Sequence, residues 1–179
     1  MLLDEYVPHY DVREIHSVPT HASSPVVFRK LQTITPADLP LVRILMTIRS
    51  APALLFGGAS LQSDENTPFL DQIMGSGFLF LGETENEYLV GTIGKFWRPT
   101  GELCSDILTA EEFKKFKEPG WAKAGWNFRV EGEGDKRRIR TETRIVCTDE
   151  SSRRKFRLYW WFVRPGSGVI RKSILKALQ

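Results

Sequence analysis

Residues 138–179 place the tightest constraint on what this chain can fold into. The run Arg138-Ile-Arg-Thr-Glu-Thr-Arg-Ile-Val-Cys147 alternates charged side chains with apolar or hydroxyl ones, the period of a strand with two different faces. It passes through Thr148-Asp149 directly into a basic, aromatic segment free of acidic residues after Glu150. There Phe156, Tyr159, Trp160, Val163, Ser167, Ile170, Ile174, Ala177 and Leu178 recur at spacings of three and four and share one side of a helix. Arg153, Arg154, Arg157, Arg164, Arg171, Lys172 and Lys176 are assigned to the opposite side, with Trp161 among them. Thr148 or Asp149 caps the first free N–H groups, and Glu150 adds negative charge at the positive end of the helix dipole. Pro165, within Pro165-Gly-Ser-Gly168, removes a donor in mid-helix and predicts a kink or two collinear helices. A strand leading straight into such a helix predicts an α+β fold in which a curved antiparallel sheet wraps around a long C-terminal helix.

The chain has 179 residues, 41% of them hydrophobic, enough for the full core of a single domain spanning 1–179. Cys104 and Cys147 lack the paired spacing of a zinc site and read as small buried hydrophobes, which fits a reducing cytoplasm. The start Met-Leu-Leu-Asp-Glu-Tyr has no basic region followed by an apolar core, so no export signal is expected. Pro40, Arg43, Arg49 and Pro52 interrupt the apolar window from Leu39 to Leu61 and argue against a membrane span. Charge is unevenly placed. Residues 151–179 hold eight basic and no acidic side chains, against 17 basic and 22 acidic in residues 1–150. That tail is either a solvated helix face pairing with the body's carboxylates or a docking surface for an anionic partner.

Along the chain, Tyr10 to Val18 reads as a first strand ended by Pro19. Ser24-Pro25 and Thr35-Pro36 each place a capping residue before a proline at the first helical position, predicting a short helix and then a second one to about Arg49. The second is apolar nearly all round and must be buried on more than one side or line a cavity. Ala51 to Gly58 stays apolar with breakers, Ser60 to Asn66 is a polar loop, and Thr67-Pro68 opens a short helix ending near Gly75. From Gly77 the pattern changes to strands at Phe78–Gly82, Tyr88–Trp97, Glu102–Ile107, Ala122–Glu131 and Arg137–Cys147, with short connections that predict an antiparallel meander. Thr109-Ala-Glu-Glu112 is a capping box that introduces a helical turn from Glu111 to Lys117.

Alternation assigns the faces of the last two strands. Ala122, Ala124, Trp126, Phe128 and Val130 share one side; Ile139, Thr141, Thr143, Ile145 and Cys147 share the matching side of the next strand. The other side carries charged residues that can pair across strands. Hydroxyls at Thr141 and Thr143 on an inner face need partners, either each other and the backbone or a bound ligand. Gly91, Gly94 and Gly125 read as bends or bulges.

This order of elements resembles the SRPBCC superfamily, the helix-grip fold shared by START lipid-transfer domains, the birch-pollen-allergen family and polyketide cyclase/dehydrase-like proteins. Gly94-Lys-Phe-Trp-Arg-Pro99, Ala122-Lys-Ala-Gly-Trp-Asn-Phe128, Thr141-Glu-Thr-Arg144, Cys147-Thr-Asp149 and Arg164-Pro-Gly-Ser-Gly-Val-Ile-Arg171 are similar to segments of bacterial members without an assigned activity. The resemblance implies a hydrophobic cavity between sheet and C-terminal helix, used for binding in some members and for cyclisation or dehydration in others. It transfers no catalytic residue.

Residue types supply few chemical candidates. Glu14 and His16 share the parity of Val12 and Val18, and form an acid/base pair if they point inward or an exposed polar edge if they do not. Lys95, between apolar neighbours, is a desolvated amine or the partner of a carboxylate. No P-loop, dinucleotide fingerprint, serine-hydrolase elbow or metal-ligand cluster appears, and no cofactor is expected. The leading expectation is binding of a small hydrophobic molecule, a lipid or aromatic metabolite, by Trp126, Phe128, Thr141, Thr143, Ile145, Tyr159, Trp160 and Val163. A cyclase or dehydratase using Glu14, His16 or Lys95 is the first alternative. An interaction module is the second, with membrane contact through Arg154, Arg157, Trp161 and Lys172. Nucleic acid is not expected, because most of the aromatics share the core face.

Overall fold

A computed structural model of the chain describes residues 1–41, 64, 66–98 and 101–179. The helix expected to reach Arg49 is described only at its start, up to Leu41; the rest of it, the apolar stretch from Ala51 to Gly58, most of the polar loop after it, and Pro99 lie outside these residues. The described elements are α1 (Leu2–Tyr6), β1 (Val12–Pro19), α2 (Ser24–Thr33), a 3-10 turn (Pro36–Asp38), α3 (Phe69–Gly75), β2 (Phe78–Glu83), β3 (Glu87–Lys95), β4 (Glu102–Leu103), α4 (Ala110–Lys115), β5 (Ala122–Glu131), a 3-10 turn (Gly134–Lys136), β6 (Arg138–Cys147) and α5 (Glu150–Leu178). This is an α+β fold in the helix-grip arrangement. The sheet order is β1-β6-β5-β3-β2 with β4 beside β3, and every pairing is antiparallel.

The first strand joins the last. β1 pairs with β6, setting Val12, Glu14, His16 and Val18 opposite Ile145, Thr143, Thr141 and Ile139. Residues directly opposite in an antiparallel pair share a face. The register of β6 on β5 carries that face on through Ala124, Trp126, Phe128 and Val130. One layer of the core lies here, where Tyr88, Val90, Trp126, Phe128 and Ile139 meet Phe28 and Leu31 of α2, Phe69 and Ile73 of α3, and Ile174, Leu175 and Leu178 of α5. A smaller cluster around Ala122, Ile145, Cys147 and Phe156 holds the start of α5.

The opposite face of the sheet is covered as well, a feature absent from the sequence reading. Leu3 and Val7, at and beside α1, and Phe113 and Phe116, at and beside α4, pack on Leu81, Leu89 and Ile93. Glu87 caps α1 by accepting from the N–H groups of Leu2 at 2.8 Å and Leu3 at 3.3 Å. The strand glycines serve this second layer. A Cβ at Gly91 would sit 2.5 Å from Leu81 Cδ1 and 2.9 Å from the Phe113 ring, and one at Gly125 would sit 2.7 Å from Leu3 Cδ1. They permit close approach, and the pairing of β3 with β5 and of β5 with β6 runs through them without a bulge; the register shift lies in β2, between Phe80 and Gly82.

The long helix runs unbroken for 29 residues with Pro165 inside it, so it is one helix and not two. Trp161, whose carbonyl Pro165 leaves without a donor, and Pro165 itself are both exposed. At the start, Asp149 accepts from Ser152 N at 2.9 Å and from Gly120 N, tying the cap to the turn before β5. The Ser152 backbone N–H, helped by its hydroxyl and by Gly120, pulls the Asp149 carboxyl down to about 2.

Candidate functional site

Between the two apolar clusters under α5 lies a compact group of polar side chains. β1 contributes Glu14 and His16, β6 contributes Thr143, and the helix contributes Ser167 and Arg171. His16 Nε2 and Glu14 Oε1 are 2.8 Å apart. Ser167 donates its hydroxyl to the other Glu14 oxygen at 3.1 Å, and Arg171 approaches that same oxygen at 3.7 Å. Arg171 donates to Thr143 Oγ1 through Nε at 2.9 Å and Nη2 at 2.7 Å, and through Nη1 to the Ser167 carbonyl at 3.3 Å and the Ser167 hydroxyl. Its guanidinium carbon lies 5.5 Å from the centre of the Trp126 ring.

The local sequence explains this approach. A Cβ at Gly168 would come 3.2 Å from Glu14 Oε1 and 3.6 Å from His16, so the small residues of Pro165-Gly-Ser-Gly168 let the helix settle onto β1. Burial pulls the Arg171 guanidinium below its ordinary value, and the Glu14 carboxylate opposes that shift. The contact with Glu14 uses Nε2 of His16, so Nδ1 is the ring nitrogen left on the other side.

The sequence reading put Arg171 on the solvent side of the helix, and this is corrected. At 100° per residue it falls beside Trp160 and Leu178, next to the core-facing stripe. Charge alone had assigned it outward, whereas Thr143 and Ser167 satisfy it inside. Glu14 and His16 point toward α5 and do not form an exposed polar edge. Lys95 does not join them. It pairs with Glu102 at 2.6 Å and lies 4.0 Å from the centre of the Trp121 ring, on the α1/α4 side of the sheet. The Lys95 hydrogen bond in turn holds the Glu102 carboxyl below the usual range. Lys95 and His16 therefore cannot share a substrate.

The remaining candidates divide by wall. Trp126, Phe128, Thr141, Thr143 and Ile145 are buried on the sheet, while Tyr159, Trp160 and Val163 are half-buried on the helix. Thr141 is satisfied internally: it accepts from Trp126 Nε1 at 2.6 Å and donates to the Asn127 carbonyl at 2.7 Å. Two cavities outlined by the described residues lie elsewhere. One of about 370 Å³ lies between α1, the end of α4 and Lys123, and one of about 430 Å³ lies beside α2 and Asp38. Neither coincides with the cavity expected among Trp126, Phe128, Thr141, Thr143, Trp160 and Val163.

Cys147 is buried, and burial together with Asp11 pushes its thiol up to about 12; both cysteines are unpaired. Among the described residues, no group of three or more His, Cys, Asp or Glu side chains is placed to hold a metal ion, and no helix is long and apolar enough to cross a membrane. Arg154, Arg157, Trp161 and Lys172 are exposed on α5. No protein-family model matches the chain, no curated protein is similar to it, and no solved structure matches it.

Proposed function

We propose that this protein belongs to the SRPBCC superfamily and binds, in the cytoplasm, a small molecule with an apolar body and a polar head between the sheet and the middle of α5. One observation carries this reading. The sheet-facing side of the helix is buried at Phe156 near one end and at Ile174, Leu175 and Leu178 near the other, yet only half-buried at Tyr159, Trp160, Val163 and Ile170, where a charged cluster around the buried Ser167 interrupts the apolar packing. A half-buried arginine whose hydrogen bonds go to neutral oxygens, with the Glu14 carboxylate no nearer than 3.7 Å, is a ready anchor for a carbonyl or carboxylate oxygen, because a charged or strongly polar acceptor improves on Thr143 and Ser167. Trp126, Ile145, Trp160 and Val163 would take the apolar body. The unpaired cysteines fit a reducing compartment.

Native mass spectrometry of freshly purified protein should reveal a retained small molecule. A fluorescent fatty-acid probe should bind, and Arg171→Met and Thr143→Phe should each weaken it at least tenfold while the fold is kept. Unchanged uptake in both variants removes this reading.

The Glu14–His16 pair supports an enzymatic second reading. A histidine held by a carboxylate is a competent acid/base group. It would remove a proton α to a ligand carbonyl and return one from water. Deuterium from solvent should then appear at that carbon of a bound ketone, and His16→Gln should abolish the exchange without abolishing binding.

A further inference from the structure

The face of α5 turned away from the sheet carries a row of large apolar side chains in water. Leu158, Trp161, Phe162 and Val169 are 66%, 73%, 66% and 43% exposed. Their offsets of three, four and eleven residues put them on one helical face, with Pro165 between them. Trp161 and Phe162 meet edge to face, with ring centroids 4.7 Å apart. Leaving this much apolar surface in water is unfavourable, and among the described residues none of the four belongs to a core cluster.

Charge is arranged around the same row. Arg154, Lys155 and Arg157 are exposed toward the N-terminal end, Arg164 beside its middle, and Lys172 and Lys176 toward the C-terminal end. Glu150, at the first turn, is the single acidic residue of the helix. A 29-residue helix rises about 1.5 Å per residue and is therefore roughly 43 Å long. Its other side is fixed along the sheet, so it presents this face flat.

From this pattern we infer that the exposed face of α5 docks the protein onto an anionic lipid bilayer, with Leu158, Trp161, Phe162 and Val169 entering the headgroup region and the lysines and arginines at both ends meeting lipid phosphates. A tryptophan–phenylalanine pair flanked by cations is the composition of a helix lying in the membrane interface. The surface is one convex helix face. A fluid bilayer moulds itself to such a ridge, whereas a folded partner would have to bring a matching groove. Nucleic acid fits less well, since the two adjacent rings lock edge to face and leave little room for stacked bases. The inference does not rest on the proposed ligand site, which lies on the opposite side of the same helix.

Sedimentation with vesicles of neutral phosphatidylcholine, or of the same lipid with 30% phosphatidylglycerol, tests it. Binding is expected to the anionic vesicles only, falling at least tenfold in 0.5 M NaCl and at least tenfold in Trp161→Ala/Phe162→Ala, whose circular dichroism should match wild type because both side chains are exposed. Arg154→Glu/Arg157→Glu should weaken it several-fold. The difference in fluorescence between wild type and Trp161→Phe should shift to the blue on binding. The proposal is overturned by absence of binding at low salt, by binding indifferent to the Trp161/Phe162 variant, or by a Trp161 already shielded from iodide without lipid. Tighter binding to single-stranded RNA than to vesicles, with the same aromatic dependence, overturns it equally.

Discussion

The two faces of the sheet each bury ionisable side chains, and they do so in opposite ways. On the outer face Glu142 accepts from Arg13 Nε and Nη2 at 2.7 and 3.1 Å, from Arg144 Nε at 2.7 Å and from Arg140 Nη2 at 3.3 Å. Its own N–H donates to Asn127 at 2.9 Å, and Asn127 donates to Glu87, the cap of α1. Arg144 continues to Asp4 and to the Val7 carbonyl, so the network stitches α1 to the sheet. On the inner face Arg171 has hydroxyls and a carbonyl as hydrogen-bond acceptors, and shares one glutamate with a histidine and a serine. A saturated network of charged bonds holds structure. A cluster dominated by neutral acceptors can exchange them for a ligand, and this contrast separates a structural network from a candidate site.

The largest effect should come from the outer network. Glu142→Leu leaves Arg13 and Arg144 without their shared carboxylate and should cost about 3–5 kcal/mol in denaturant unfolding. Acid provides the second half of the test. Burial alone would raise the Glu142 carboxyl, but the hydrogen bonds from Arg13 and Arg144 prevail and hold it below 4.5. A carboxylate depressed by folding contributes stability above its unfolded pKa, lost as pH falls through the folded one. Wild type should therefore weaken below about pH 4.5, and the variant should lack that part of the slope.

Arg171→Met on the inner face should be milder, about 1–2 kcal/mol, because its hydrogen bonds go to neutral partners, its approach to Glu14 is long at 3.7 Å, and Glu14 keeps His16 and Ser167. If it costs as much as Glu142→Leu, both clusters are structural and the contrast collapses. Gly125→Ala sharpens the comparison from the backbone side. Its new methyl would meet Leu3 and Val7 at 2.7 and 3.0 Å, so about 1–3 kcal/mol should be lost through displacement of α1. Hydrogen exchange in residues 2–6 should speed up while that in α5 stays unchanged.

These contrasts also mark what the sequence made legible. Strand β5 was read residue for residue and β6 to within one residue, because alternation over ten positions leaves no other register for the buried face. The long helix was legible from its period and cap. Its orientation at Arg171 was not, since a helical wheel sorts residues by angle and charge but does not know that Thr143 waits opposite. Helix α1 was invisible because five residues carry too little periodicity, and it is held by distant partners: the Glu87 cap, 84 residues from Leu3 along the chain, the Arg144 pair with Asp4, and the packing of Leu3 on the sheet. The pairing of β1 with β6 turned Glu14 and His16 inward. That pairing joins the two ends of the chain, and no local pattern encodes it.

Lys123 is the exception on the outer face and yields the smallest effect. It is buried, it donates to the Lys114 carbonyl at 3.1 Å and lies 4.9 Å from the Phe113 ring centre, and among the described residues it has no ion pair. Burial, with Lys117 adding repulsion, lowers its ammonium from 10.5 to about 8. A base whose pKa is lowered by folding binds fewer protons when folded than when unfolded across that interval, so wild-type stability should rise between about pH 8 and 10.5. Lys123→Met removes the buried charge, keeps the stem's packing, and should stabilise the protein at pH 7 by about 1 kcal/mol. The gain should shrink as pH climbs past 8, because the wild-type amine then sheds its proton and the two proteins become alike. A variant less stable than wild type at pH 7 would mean that the ammonium is paired in solution, and the outer face would then have no exception.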